Sequence, residues 1–311
     1  MAIFDFINEN ILSYVLRFIM SFCNNNFAVT IVVFTLFINA LMIPLSIKSQ
    51  KTSVQQIKIR PKLDELKRKY GDDRQKFAMA QQQLYQDEKV SMSGGCLPMI
   101  IRLVFLMSIF YLITKPLSYL TGLGNEVITA ATEGLKAIGY LGKTTYSPEI
   151  AILNFIRDDS LMAGVTDEGL KSALAAIQAE AGMIDFNLFG INLTKTPVFS
   201  FNFAEADILW IIPILSGVTA LCSGILSSKL QKAMNPDAPN MMAMNFIMPI
   251  FSMYIAFRAP CGLGFYWACS SLVSSLIQAG VQYFYSPYKM IAKEREKNIL
   301  GVIEQEKKLI K

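Results

Sequence analysis

Five apolar windows alternate with polar stretches along this chain, near 27–47, 97–114, 208–228, 241–257 and 262–285. A helix of roughly 20 apolar residues crosses a hydrocarbon core of about 30 Å, so each window predicts a membrane span. The fourth is the shortest and suits a locally thinned bilayer. Ahead of the first window, apolar residues recur at Ile3, Phe4, Ile7, Ile11, Tyr14, Val15, Phe18 and Phe22 with polar residues opposite. That spacing predicts an amphipathic helix lying in the membrane interface. A sixth span through this region is the alternative, although Arg17 interrupts it. Between the first two windows, residues 48–70 read as a polar helix with Pro61 as a kink or break. Gly71-Asp72-Asp73 form a turn with a helix cap, and a second polar helix covers about 74–89, carrying Phe77, Leu84 and Tyr85. The two make an antiparallel, coiled-coil-like hairpin too polar to be buried; a solvated connector is the plainer reading. Between the second and third windows, helical pieces are predicted over Asn125–Ile138, Pro148–Asp158 and Asp167–Glu180, forming a small cap. Asp185-Phe186-Asn187-Leu188-Phe189-Gly190 then returns the chain to the third window.

These patterns divide the chain into ten stretches. An interfacial helix (1–26) is followed by a first span (27–47), the hairpin (48–94), a second span (95–120) and the cap (121–206). A third span (207–228), a loop (229–240), a fourth span (241–258), a fifth (261–285) and a tail (286–311) complete it. Composition agrees with the pattern: 53% hydrophobic against 17% charged residues excludes an ordinary soluble domain. Charge then orients the spans. Segment 48–94 carries a net +5, the cap 121–206 a net −5 and the tail a net +3. Basic loops stay cytoplasmic, so the hairpin, the 229–240 loop and the tail are predicted inside, with the cap and the N-terminus outside. Residues 1–23 do not read as a standard signal peptide, because Asp5 and Glu9 stand where a basic region belongs.

Candidate chemistry is sparse. There is no histidine, which excludes histidine-based general-base, triad and metal chemistry. Cysteines 23, 96, 222, 261 and 269 are odd in number and scattered, fitting membrane packing rather than disulfides or a metal site. Gly142-Lys143-Thr144 mimics the end of a phosphate loop, but the required earlier glycine is Ala137. No catalytic, metal or cofactor residue is predicted. The informative group is Arg102, a cation in the second span with no carboxylate on the same segment. A charge there costs about 2.5–3.5 kcal/mol on insertion scales, so it faces a polar cavity or snorkels to cytoplasmic headgroups. Span four holds Met241, Met242, Met244, Met248 and Met253, either a surface tolerant of varied helices or ordinary packing.

Pro44-Leu45-Ser46-Ile47-Lys48 is followed by Gln56, Pro61-Lys62, Glu65-Leu66, Lys69-Tyr70 and Leu84-Tyr85, then Gly95-Cys96-Leu97-Pro98. Later come Phe186-Asn187-Leu188-Phe189-Gly190, Met248-Pro249, and Pro260-Cys261-Gly262-Leu263-Gly264-Phe265-Tyr266-Trp267 with Gln278. Together these stretches resemble the membrane-protein insertases of the YidC/Oxa/Alb family, in the short form typical of Gram-positive bacteria. The resemblance runs from about 27 to 285 except for the middle of the cap. Four positions depart from the family pattern. Asn39 stands where the family has its functional arginine, Arg102 where it usually has glutamine, Ser91-Met92 where Asn-Pro is common, and Ser270-Ser271 where Ser-Asn is.

The resemblance implies an all-α membrane protein of the bacterial cell membrane: five transmembrane helices around a hydrophilic groove open to the cytoplasm, with the cytoplasmic hairpin and the N-terminal amphipathic helix. It implies an insertase and chaperone for nascent membrane proteins that works without ATP hydrolysis; a lipid scramblase or channel-like protein is the rival class. Asn39 lies roughly 12 Å and Arg102 roughly 7 Å from the inner ends of their spans at 1.5 Å per residue, so the groove's positive charge is predicted to have moved from span one to span two. Expected groove residues are Arg102, Asn39, Gln278, Ser108, Ser274 and Ser275. Lys58, Arg60, Lys62, Lys67, Arg68 and Lys69 of the hairpin are expected to receive clients. Nascent membrane proteins, the Sec translocon, the signal recognition particle machinery, the ribosome and membrane lipids are the implied partners. The basic tail suits sequence-independent contact with ribosomal RNA or anionic lipid, not a specific nucleic-acid sequence.

Overall fold

The computed structural model describes residues 8–71, 73–90, 97–142, 147–199, 207–234 and 242–309; the side chains of some helix residues, Arg102 among them, lie outside the description. So do expectations resting on Ile3, Phe4, Ile7, Ser91-Met92, Gly95-Cys96, Lys143-Thr144 and 235–241. The described chain is mostly helical and divides into two units. The first is Met1–Ile38, Leu103–Gly224 and Met242–Val273; the second is Asn39–Arg102, Ile225–Met241 and Ser274–Lys311. Helices α2 (Phe27–Leu41), α5 (Leu97–Thr114), α11 (Ile211–Met234) and α13 (Cys261–Phe284) contribute residues to both.

In the first unit, a π-helical turn, Asn8–Leu12, leads into α1 (Ser13–Phe22). The expected apolar face exposes Ile11, Tyr14, Phe18 and Phe22, but a second apolar face, Leu12, Leu16 and Met20, is buried in the core. The helix is therefore apolar on two sides, one buried in the core and one exposed. Arg17, read as an interruption of a span, donates from Nε to the Tyr119 carbonyl at 2.9 Å. That carbonyl ends α6 (Pro116–Leu120), the short helix that follows α5.

The cap is built on α7 (Asn125–Ala137), α8 (Pro148–Phe155), α9 (Asp159–Ala163) and α10 (Glu168–Ala181). Three begin at side-chain caps: Ser147 accepts from the Ile150 amide, Asp158 from Ser160 and Leu161, and Asp167 from Leu170 at 2.7 Å. Leu135, Ile152, Leu153, Leu174 and Ile177 are fully buried between them. Helices α7 and α10 approach closely at Gly134, where a Cβ would sit 2.7 Å from Leu170 Cδ1. At the head of α8, Ser147 Oγ donates to the Thr114 carbonyl at the end of α5, and Glu149 accepts from the Ser118 amide (2.9 Å) and hydroxyl (2.6 Å). Burial pushes the Glu149 carboxyl above its ordinary range, partly offset by the Ser118 hydrogen bonds.

The return segment contains an unexpected two-stranded hairpin, β1 (Asn187–Leu188) against β2 (Ile191–Asn192). Phe27 donates its amide to Asp185, and Gly262 and Cys261 donate to Leu193 and Lys195. The hairpin thus sits on the first residues of α2 and α13. Arg157 lies 4.8 Å over the Phe186 ring and donates to the Ile184 carbonyl, while burial lowers its pKa. A 3-10 turn, Ile208–Trp210, opens α11, and Trp210 donates its indole N–H to Val198 and stacks on Phe199.

Exposure is reversed along the apolar helices. Val29, Val33, Leu36 and Phe37 of α2, Ile211, Ile214 and Val218 of α11, and Ile247, Ile250, Phe251 and Tyr254 of α12 (Met242–Ala256) all face outward. Such stripes are costly in water and neutral against lipid tails. By length and composition, Phe27–Tyr70 and Ile208–Leu230 are each apolar and long enough to cross a membrane.

The second unit contains α3 (Ile43–Tyr70) and α4 (Arg74–Asp87) of the hairpin and the tail helix α14 (Pro287–Leu309). Met42 is near-helical at φ −80°, ψ −11°, with Pro44 in the first turn of α3, where a missing N–H costs nothing. The helix runs unbroken through Pro61, because water can solvate the one carbonyl that loses its partner on an exposed helix. Asp73 caps α4 by accepting from the Lys76 amide at 3.0 Å, which holds its carboxyl below the usual range. The hairpin is less polar than its pattern suggests: Val54 and Ile59 are buried.

Candidate functional site

Helix α13 is apolar over much of its surface, yet Ser271, Ser274, Ser275, Gln278 and Gln282 fall at i, i+3, i+4, i+7 and i+11. At 3.6 residues per turn these positions share one face. Gln278 Oε1 accepts from Ser227 Oγ of α11 at 2.8 Å. One turn further, Gln282 Oε1 accepts from Gln50 Nε2 of α3 at 3.1 Å. The two glutamines therefore form rungs roughly 6 Å apart along the axis, linking α13 to two other helices by side-chain hydrogen bonds. Gln50 Oε1 is itself buried with no hydrogen-bond partner among the described residues. A buried, unsatisfied carbonyl costs about 1–3 kcal/mol, so this face is poised to accept a donor.

The structure places Asn39 on the last turn of α2, half-buried, and Arg102 on α5, five residues past Leu97. Both belong to the second unit, as do Ser274, Ser275 and Gln278. Asn39, Ser274 and Ser275 each have interactions of their own. Ser108 belongs to the first unit, where it is fully buried and its hydroxyl has no hydrogen-bond partner among the described residues. Sequence reasoning missed Ser227, Gln50 and Gln282. Gln282 was within reach, since it continues the serine–glutamine period by one turn. Gln50 carried no signal, being one polar residue within a charged stretch.

The hairpin cations divide by environment. Lys62 pairs with Glu88 at the end of α4, whose hydrogen bond raises the lysine pKa. Lys58 Nζ contacts both Glu294 oxygens at 2.6 Å, joining α3 to α14. Lys69 lies 5.1 Å over the Tyr70 ring, and Lys67 and Arg68 are exposed. Arg60 is half-buried with an interaction of its own. Gln50 meets Gln282 and Lys58 meets Glu294, so α3 and the α13–α14 segment descend side by side in the same direction. Between α3 and α14 lies an open cleft of about 660 Å³ lined by Ile57, Tyr288, Ile291, Arg295, Ile299 and Leu300.

The sequence matches the family described as 60Kd inner membrane protein over residues 18–288. It is 27% identical over 274 residues to a protein of Caldanaerobacter subterraneus subsp. tengcongensis named membrane protein insertase YidC, covering 88% of this chain and 91% of that one. A Fusobacterium nucleatum protein of the same name is 23% identical over 272 residues, 86% of this chain and 94% of its own. A Sinorhizobium fredii protein, again of that name, is 28% identical over 251 residues, covering 80% of this chain but 32% of its own. With the match spanning most of the chain and the outward apolar helices beside it, this is a membrane protein of the 60Kd inner membrane protein family, the YidC/Oxa/Alb insertases, which are not enzymes.

Proposed function

We propose that the protein helps apolar segments and short extracytoplasmic tails of nascent membrane proteins enter the cell membrane along the polar face of α13, without ATP hydrolysis. In this reading α2, α5, α11, α12 and α13 span the bilayer, the cap lies outside, and the hairpin and α14 lie in the cytoplasm. The observation that carries it is the hydrogen-bonded row Ser227–Gln278 and Gln50–Gln282 on an otherwise apolar helix. The groove residues are then Arg102, Asn39, Ser274, Ser275 and Gln278, extended by Gln282, Gln50 and Ser227.

The physics of such a face is direct. A tail crossing the bilayer carries polar backbone and carboxylates that hydrocarbon penalises heavily. Amide and hydroxyl groups along α13 shorten the dry path by offering exchangeable donors and acceptors. Arg102 attracts an acidic residue in the passing tail without trapping it, because the groove stays wet. The membrane potential, positive outside, adds about 2.3 kcal/mol per 100 mV for each negative charge moved outward. The client's apolar segment then leaves sideways into lipid, and no bond is made or broken. Nascent chains arrive past the basic hairpin, with the ribosome, signal recognition particle machinery and Sec translocon as delivering partners.

The test is insertion of an acid-tailed, single-span client into nucleotide-free proteoliposomes. Wild type is expected to insert it, with Arg102→Gln and the pair Gln278→Leu/Gln282→Leu each slower by about tenfold, a rise of roughly 1.4 kcal/mol in the barrier. Equal insertion by all three would remove the polar face from the mechanism. A polar face could also pass lipid headgroups; headgroup flipping by the same vesicles, with no insertion, would favour the scramblase reading.

A further inference from the structure

We propose that the β1–β2 tip is a lipid anchor, with the Phe189 ring inserted among the phospholipids of the outer leaflet, where it seats the cap on the membrane. The inference rests on the topology proposed above. Two residues, Phe189 and Gly190, join the strands, at φ 48° and 87°. Both lie in the left-handed region, the geometry of a type I′ turn, whose first position favours Asn, Asp or Gly. A phenylalanine is disfavoured there, and its side chain is 97% exposed, more than any other large apolar side chain among the described residues. Among the described residues, no neighbour covers the ring. In water both would weaken the hairpin; in an interface the ring's burial offsets them.

The hairpin stands at the right level. Phe27, the first residue of α2, donates its amide to Asp185 at 2.8 Å, and Asp185 donates to Asn25 at 3.0 Å. The Asp185 carboxylate accepts from Asn26 Nδ2 at 2.9 Å, and the Phe186 ring lies 4.9 Å from that of Phe27. On the other side, Gly262 and Cys261, the first residues of α13, donate to Leu193 and Lys195 at 2.8 and 2.9 Å. The ring is three residues from Phe186, so its tether reaches roughly 10 Å at about 3.4 Å per residue. The headgroup zone on each side of the hydrocarbon core is roughly 5–8 Å deep, within that reach. A second exposed aromatic set belongs to the same unit: α1 ends shortly before Phe27 and exposes Tyr14, Phe18 and Phe22 at 66%, 66% and 76%. Aromatic rings favour the membrane–water boundary, which is why lipid is the occupant rather than a client chain or a second copy.

The experiment places Phe189→Trp, in the full chain, in phosphatidylethanolamine–phosphatidylglycerol vesicles and reads difference fluorescence against the parent, which has two tryptophans of its own. The expected difference spectrum is blue-shifted, quenched by lipids brominated near the headgroup and unaffected by iodide. A red-shifted signal quenched by iodide overturns the proposal, and so does a blue-shifted signal that no brominated lipid quenches, since protein then covers the ring. Phe189→Asn, which suits the turn, gives a second reading. Hydrogen exchange across 185–193 should rise several-fold in vesicles if lipid holds the tip; unchanged or slower exchange overturns it. Client insertion by the same vesicles is scored separately. A lipid-quenched tip without insertion sinks the insertase reading alone; insertion with a water-exposed tip sinks the anchor alone.

Discussion

A carboxylate at the head of an apolar helix needs donors, and Glu149 finds both on Ser118. Its pKa is raised chiefly by burial, so its protonated form is favoured in the folded cap. The contribution to stability is therefore complete below the ordinary value of 4.5 and is lost as pH rises through the elevated one. Glu149→Gln should flatten that slope, giving a cap whose melting point in detergent exceeds wild type at neutral pH and converges with it in acid. Glu149→Ala should instead lose about 1 kcal/mol, because the half-buried Ser118 amide is left without its partner. A wild type with no more acid preference than the Gln variant would show that the site is wetter than its burial indicates. Arg17 makes a similar point: its place in an apolar pattern is explained by one carbonyl, that of Tyr119.

Among elements, α14 is the one to which the structure adds most. Its basic pattern suggests RNA or lipid, and it also packs along α3, joined by the Lys58–Glu294 pair with Ile57 and Ile291 half-buried nearby. An exposed pair of this kind contributes about 0–1 kcal/mol, whereas the aliphatic contacts act through buried area. Lys58→Glu should loosen α14 only slightly and Lys58→Glu/Glu294→Lys should restore it, while Ile57→Asp, at a half-buried position, should loosen the helix more, by about 1–2 kcal/mol. Hydrogen exchange over 287–300 measures all three, and equal effects of the two single variants would contradict this ranking. The start of the hairpin's second helix, α4, was readable from Asp73, which caps it by accepting from Lys76.

For the whole molecule, the charge distribution makes a topological prediction: a basic hairpin inside and an acidic cap outside. Glu168 and Arg68 are both exposed, one in the cap and one in the hairpin. A membrane-impermeant maleimide on intact cells should label Glu168→Cys at once and Arg68→Cys only after permeabilisation. The reverse pattern would invert the topology and remove the proposed direction of transport, since the potential favours outward movement of negative charge.

Most helix positions, the cap at Asp73, the membrane class and the family follow from local signals: apolar period, capping residues, charge balance and short motifs. These need no knowledge of neighbours, which is why α7, α8 and α10 fall on the predicted stretches. Half of the candidate polar face was equally legible, because Ser274, Ser275 and Gln278 share a helix. Its partners were not. Gln50 and Gln282 stand 232 positions apart, and only the packing of α3 against α13 makes them neighbours. The second buried face of α1, the docking of α14 and the exposure of Phe189 share that origin. Each depends on which surfaces meet after the helices assemble, and periodicity reports what a helix can bury, not what it is buried against.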